Sequence, residues 1–366
     1  MITVDFLRGF YETDGSFQIH ISRGNFKPLV QLSQKSDITL NVVESFLNSK
    51  GITTFIQKRD KTRKAGRAAI LIVSGRHNVE RMLNLFEKEN TDSFLFSAVK
   101  QRDFLIMRKF LSLSLDSEKN LAVALGLKKS LHKQKLSEPD NDVSGAKSMQ
   151  QWEEILKLPL GSRQKNQEVL VEIDKEYETH VKTLKKSISK GTLKVSGNYI
   201  SGLIEGDGHY GVVFTFVGIN HKRGNVSKTG TINWMGEFSL CMEIRALLTI
   251  EVFIYYLQCK VTINETRSRR YPDIVTSVVI KITKQEDIRK LIVLHDNFPL
   301  IGRVKDQTFQ TVKKLFLLRD NGQLKEAYIV EHFLREIYYV SSFIEKGTGR
   351  LMSLDDAIAK SREWLS

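Results

Sequence analysis

Leu7-Arg8-Gly9-Phe10-Tyr11-Glu12-Thr13-Asp14-Gly15 and Ile200-Ser201-Gly202-Leu203-Ile204-Glu205-Gly206-Asp207-Gly208 are two copies of one pattern. Each starts apolar, carries Gly at its third place and an acid at its sixth, and closes on Asp-Gly. With the residues just before them, Phe6, Leu7, Phe10 and Tyr11 in one copy and Tyr199, Ile200, Leu203 and Ile204 in the other fall at i, i+3 and i+4, the spacing of a helical stripe. Gly9 and Thr13, and likewise Gly202 and Gly206, set small residues four apart, which lets two helix backbones approach closely. The Asp-Gly pair is expected to end each helix through a left-handed glycine. Helices packed side by side would deliver Asp14 and Asp207 together at two negative helix ends, a repulsion that divalent cations relieve. Such a duplication suits a two-fold molecule acting on a two-stranded substrate.

Composition sets bounds. The 366 residues are 41% hydrophobic and 27% charged, as in a soluble globular protein with room for two domains. A formal net charge of +14 points to a polyanion, nucleic acid ahead of an anionic membrane. No apolar run is long enough to span a bilayer, and the first motif leaves no room for a signal or transit peptide. Cys241 and Cys259 lack zinc-ligand spacing and imply no disulfide framework, so a reducing, intracellular home is expected. Five prolines with abundant Lys and Ile fit an AT-rich genome such as an organelle's.

Each nonamer runs into strands. Ser16–Arg23 puts Phe17, Ile19 and Ile21 on one face and Ser16, Gln18, His20 and Ser22 on the other. Leu29–Gln34 turns Val30 and Leu32 inward, Gln31 and Ser33 outward. A helix at 38–47, strands 52–58 and 68–74, and helices 78–87 and 98–113 complete the first half. The second repeats the order: strands 210–217 and 231–242, helix 247–257, strands 260–266 and 274–283, helices 285–295 and 303–319. The period-2 pattern predicts one polar face per sheet. The outward set is Gln18, His20, Ser22, Arg23, Lys27, Gln31 and Ser33 with the basic turn Lys58, Arg59, Lys61, Arg63 and Arg67 in the first half. In the second it is His221, Lys222, Arg223, Lys228, Thr231, Asn233, Glu237, Ser239, Arg267, Arg269 and Arg270, with Lys281 at its margin. Amide and hydroxyl side chains suit base edges in a major groove, and Lys and Arg suit phosphates.

The paired motifs resemble those of the single-chain LAGLIDADG homing endonucleases, one degenerate copy opening each half. Phe94–Phe104 and Phe298–Phe309 resemble the family's late segment, in which a Lys precedes the last helix. The resemblance covers residues 1–115 and 196–320 and leaves out the middle and the extreme C-terminus. It implies an α+β fold of two pseudo-symmetric αββαββα half-domains, each with a curved antiparallel sheet, packed through the motif helices. The division is then 1–115, a helical and loop insertion at 116–195, 196–346, and a helical tail at 347–366. The insertion is expected to hold helices at 150–158 and 167–188 around a polar loop at 137–148, as a solvated spacer. The tail is expected to dock on the second half.

The resemblance further implies site-specific hydrolysis of both strands of a long quasi-palindromic DNA target by a monomer, leaving staggered ends. Asp14 and Asp207 match the family's metal ligands, and the carbonyls of Thr13 and Gly206 its backbone ligands; oxygen-only ligation favours Mg2+, with Mn2+ as substitute. Lys100 and Lys305 would polarise water or steady the scissile phosphate, and Gln34 matches a water-orienting Gln. The second half has no Gln at the comparable place, where Glu243 or Arg245 is expected to serve. Glu12 and Glu205 are read as structural, pairing with basic neighbours. Arg8 and Thr13 exceed the family's usual small residues and are expected to loosen the helix interface. An RNA maturase acting on its own intron, or a DNA-binding protein without cleavage, are the alternatives on this scaffold. An intein is disfavoured, for want of a nucleophilic first residue and a His-Asn end.

Overall fold

The structure is a computed structural model, and it describes residues 2–22, 25–34, 37–58, 69–88, 96, 99–131, 167–217, 231–267, 275–342 and 352–365. The chain divides into two compact units: Met1–Asp207 with Met242–Tyr256, and Gly208–Cys241 with Leu257–Ser366.

The first unit opens with α1 (Val4–Asp14), capped where the Thr3 hydroxyl accepts from the Phe6 amide. It continues through β1 (Gly15–Ser22), β2 (Asn25–Gln34), α2 (Asp37–Ser49), β3 (Thr54–Lys58), β4 (Ala69–Ser74), α3 (Arg76–Lys88) and α4 (Val99–Ser112). The four strands form an antiparallel sheet in the order β1-β2-β4-β3. Val30 and Leu32 are buried while Lys27 and Ser33 are exposed, as the alternation requires. β4 departs from it. Ala69 to Val73 are all buried, so the one-polar-face rule fails along this strand.

The helix ends also differ from expectation. Gly15 is extended, with φ −87° and ψ 152°, and neither it nor Gly208 has a positive φ. The chain passes straight from helix into strand. Gly15 is required for a different reason: a Cβ there would overlap the Tyr11 ring. That ring heads the core, 4.8 Å from Phe17 and 5.6 Å from both Phe86 and Phe96.

Among the described residues, two helices follow α4 in the insertion. α5 (Glu118–Ser130), which the sequence reading missed, is capped by Ser117 and buries Ala122 to Leu125 and Leu127. α6 (Gln167–Ser189) is not a solvated spacer. It buries Leu170, Ile173 and Leu184, and Arg102 on α4 reaches both Asp174 Oδ1 and the Ser130 carbonyl at 2.7 Å, tying α4, α5 and α6 together. The expected helix 150–158 and loop 137–148 lie outside the described residues. α7 (Gly197–Asp207) is the second motif helix.

The second sheet holds β5 (Gly208–Val217), β6 (Thr231–Glu243), β7 (Thr262–Arg267) and β8 (Val275–Ile282), in the antiparallel order β5-β6-β8-β7, and belongs to the second unit apart from the end of β6. α8 (Leu247–Leu257) follows β6 and belongs to the first unit up to Tyr256, while α9 (Gln285–Asn297) and α10 (Arg303–Asp320) follow β8 in the second. β6 alternates along nearly its whole length, with Trp234, Gly236, Phe238, Leu240 and Met242 buried. α11 (Ala327–Ser342) was also missed, although Val330, Phe333, Leu334 and Ile337 mark a helical stripe and are buried. α12 (Leu354–Leu365) packs on α11, where Arg362 pairs with Glu331, and Trp364 meets the Phe216 ring at 5.2 Å. Among the described residues no helix is long and apolar enough to cross a membrane.

Candidate active site and nucleic-acid face

The site begins with the seam between α1 and α7, both in the first unit. A Cβ at Gly9 would overlap the Tyr199 carbonyl, and one at Gly202 would overlap the Phe6 carbonyl, so the backbones meet where only glycine fits. One turn on, a Cβ at Gly206 would strike Thr13. The bulk of Thr13 is therefore taken up by its glycine partner rather than loosening the seam, and its hydroxyl donates to the Phe10 carbonyl at 2.9 Å. Arg8 does not disturb the seam either. Its buried guanidinium is held by Asp5 Oδ1 at 2.7 Å and by the Phe86 carbonyl.

This close packing brings the motif acids together. Asp14 Oδ2 lies 3.2 Å from the position a Gly206 Cβ would take, beside the backbone that leads into Asp207. Gln34 Nε2, at the end of β2, donates to Asp14 Oδ2 and lies 3.5 Å from the Glu205 carbonyl. The Gln expected near the first acid is there, bonded to the carboxylate itself. Lys100, in the first turn of α4, donates to the Gly15 carbonyl and stands 5.6 Å over the Tyr11 ring. Burial, with the negative charges of Asp103 and Glu12 nearby, raises the Tyr11 phenol well above its ordinary range, so it stays neutral under that cation. Glu12 accepts from the Tyr199 hydroxyl at 3.0 Å and Glu205 from Thr39 at 3.3 Å. The first bond joins the two motif helices and the second ties α7 to α2; the sequence reading had expected basic partners.

A cleft of about 260 Å³ opens at the ends of the paired helices. Glu12, Thr13, Lys100 and Asp207 line it from one side, and Met242, Glu243, Arg245, Ala246 and Thr249 from the other. Arg245 rides on a 3-10 turn at Ile244–Ala246 and pairs with Glu243 Oε2 at 2.8 Å.

Sheet register identifies what stands at the place of Gln34. Gly15 pairs with Leu32 and Gly208 with Leu240. Two residues further along the same strands come Gln34 and Met242. The position is thus held by a buried thioether, and Glu243 and Arg245, put forward from the sequence for this role, line the cleft beside it. A thioether sulfur is a weak acceptor and donates nothing.

The donor set suits a hard cation. Asp14, Asp207 and the carbonyls of Thr13 and Gly206 are all oxygen ligands, and no cluster of three or more His, Cys, Asp or Glu occurs among the described residues. Mg2+ is commonly held by one or two carboxylates, with substrate phosphates completing its shell, so an acid at the end of each paired helix fits it.

In the second unit, Lys305 lies in the first turn of α10. The His209 imidazole is held below its ordinary pKa chiefly by burial; Glu237 opposes that shift, and Lys305 and Lys281 add to it. These four groups form one electrostatic neighbourhood that sequence spacing could not reveal, since it gathers β5, β6, β8 and α10.

The outward faces carry the remaining candidates. Gln18 Nε2 donates to Gln31 Oε1 at 2.9 Å and to Ser16 Oγ at 3.0 Å, and His20 meets Gln18 Oε1 at 2.7 Å. Burial, then the Lys128 charge, lowers the His20 pKa. Ser22, Lys27 and Ser33 are exposed on the same sheet. Lys58 pairs with Asp37 at 3.2 Å and Arg267 with Glu265 at 3.6 Å, both on open surface. Thr231, Asn233, Glu237 and Ser239 share the outward parity of β6. Arg23, Arg59, Lys61, Arg63, Arg67, His221, Lys222, Arg223, Lys228, Arg269 and Arg270 lie outside the described residues.

Known proteins share this fold. Residues 2–86 match the model of the LAGLIDADG-like domain. The chain is similar in fold to the LAGLIDADG meganuclease I-CpaMI bound to uncleaved DNA, with TM-score 0.61 and 18% identity over 94% of this chain and 100% of that one. It is similar also to I-SmaMI bound to an uncleaved DNA target in the presence of calcium ions, with TM-score 0.60, 15% identity, and coverage of 95% and 100%. I-GzeII in complex with its DNA target gives TM-score 0.57, 15% identity, and coverage of 96% and 100%. No protein of curated function matches the chain in sequence.

Proposed function

From a chain whose residues 2–86 are a LAGLIDADG-like domain, within the two-domain LAGLIDADG fold, we propose a site-specific endonuclease. It acts as a monomer on double-stranded DNA, and cuts both strands of one long quasi-palindromic site to leave staggered ends. The observation that carries this reading is the meeting of Asp14, Asp207 and Lys100 at the end of a glycine-matched helix seam, with Gln34 bonded to Asp14.

Asp14 and Asp207, with the carbonyls of Thr13 and Gly206, would hold Mg2+, or Mn2+ in its place. When bound, the metal supplies an activated water and neutralises the departing oxygen. The chain's own residues do the rest. Gln34 fixes the orientation of the Asp14 carboxylate through its amide, so that one lone pair is committed before substrate arrives. From the Gly15 carbonyl, the Lys100 ammonium can swing onto a phosphate oxygen. Lys305 takes the corresponding part from the second unit. The outward faces of the two sheets read base edges, while exposed lysines and arginines grip phosphates and make affinity fall with salt. An intron-encoded product of an organelle genome fits the basic, cysteine-poor composition.

Asp14→Asn and Asp207→Asn should each lower double-strand cleavage by at least about a hundredfold, the several kcal/mol a metal contributes to such a step, with binding in Ca2+ retained. Double-strand cutting at the wild-type rate by the double Asn variant would end the catalytic assignment. Binding of intron RNA in preference to duplex DNA would move the chain to the maturase reading.

A further inference from the structure

The outward face of the second sheet carries an acid where a DNA-reading surface should avoid one. Glu237 points outward from β6, opposite Gly211 on β5. A Cβ at Gly211 would stand 3.2 Å from its Oε1 and 3.3 Å from its Cγ, so the carboxylate lies over a residue without a side chain. His209 is outward on the same strand, Lys281 is exposed on β8 between the buried Ile280 and Ile282, and the charges of Glu237, Lys281 and Lys305 all act on His209. On the first sheet, Gln18 takes the place of Gly211 and Leu29 that of Glu237. Its described outward residues on β1 and β2, from Ser16 to Ser33, include no acid.

A carboxylate facing the phosphates of a duplex is repelled, and the neighbouring cations offset only part of that cost. It is favourable against DNA where it accepts a hydrogen bond from a base. In the major groove only the exocyclic amines of cytosine and adenine donate. Adenine sets its N7 acceptor beside that amine, so a group with acceptors alone meets one attraction and one repulsion. Cytosine has only C5–H there. Its guanine partner offers O6 and N7, both acceptors suited to a lysine ammonium.

We infer that Glu237 is a specificity-determining residue that selects a C·G pair in the half-site under the second sheet, its carboxylate accepting from cytosine N4 while Lys281 faces the guanine. The inference rests on the DNA-cleaving function proposed above. It makes the target non-palindromic at this position, because Gln18 and Leu29 cannot read the same pair in the same way.

The test is selection from a randomised duplex library by the full chain in Ca2+. Wild-type protein should enrich a site with one invariant cytosine column that Glu237→Gln flattens, discrimination there falling about tenfold while other columns stay as they were. Glu237→Lys should turn that column towards guanine. Wild-type and Glu237→Gln matrices that superimpose, or a changed column in which the wild type selects adenine, guanine or thymine, would overturn the inference. A library from which the wild-type protein enriches no sequence would instead overturn the endonuclease reading.

Discussion

At the end of α1 the motif acid is held by an amide; at the same ladder position beside β5 stands a thioether. Gln34 bonds Asp14, whereas Met242 lines the cleft with Asp207 and has no hydrogen to give. The contrast recurs in the core. Phe86 and His295 are both the eleventh residue of their helices, and each packs on a core tyrosine, Phe86 on Tyr11 and His295 on Tyr210, with Phe309 also against His295. It recurs again on the sheets, where Gln18 on the first stands at the place of Gly211 and Leu29 at that of Glu237 on the second. What both halves share is the seam, where Gly9 and Gly202 each receive the other helix's backbone. The duplication keeps what positions the acids and varies what surrounds them.

The largest effect should therefore come from breaking the shared part, and it should be alike in both halves. Gly9→Ala and Gly202→Ala each drive a methyl into a backbone carbonyl, which cannot rotate away, and should cost about 3 kcal/mol. Gly126→Ala is the control, since nothing lies within 4 Å of its Cβ position on α5, and it should stabilise by up to about 1 kcal/mol. Urea unfolding of the three variants measures this; a tolerated Gly202→Ala would mean that the seam is looser than described.

Acid should then separate the halves. Burial among Tyr210 and Phe309 pushes the His295 imidazole down to about 4, against the smaller upward pulls of the Phe298 carbonyl, Asp306 and Asp296. A histidine kept neutral in the fold stabilises fully above its unfolded value of about 6.5, and that contribution is lost as pH falls from there to about 4. The loss amounts to about 3 kcal/mol. His295→Phe, which copies Phe86, should remove this part of the acid limb of the stability curve. An unchanged limb would show that the second core titrates through another group.

Much of this was legible in the sequence, for physical reasons. Helical period and small residues at i and i+4 predicted the seam, and strict alternation predicted β6. Gln34, Lys100 and both acids were named because they match segments of the LAGLIDADG pattern, and the structure brings Gln34 onto Asp14. α5 was missed because Leu121 to Leu127 is a nearly continuous apolar run that conceals its period. The Asp-Gly ends were misread, since Gly15 makes room for the Tyr11 ring and takes no left-handed turn. The counterpart of Gln34 could not be read at all. A search for an amide or a charge passes over methionine, and only the pairing of Gly208 with Leu240 locates it.

The central claim is that the two acids serve two cleavage sites that differ in how the acid is held. Its most direct test is a cleavage time course in Mg2+ with each strand of the target labelled separately, for wild type, Gln34→Ala and Met242→Gln. The wild type should cut the strands at unequal rates through a nicked intermediate. Gln34→Ala should slow the faster strand by about 10–100-fold, and Met242→Gln should bring the slower strand towards the faster. Equal strand rates in the wild type, with no strand bias in either variant, would contradict it.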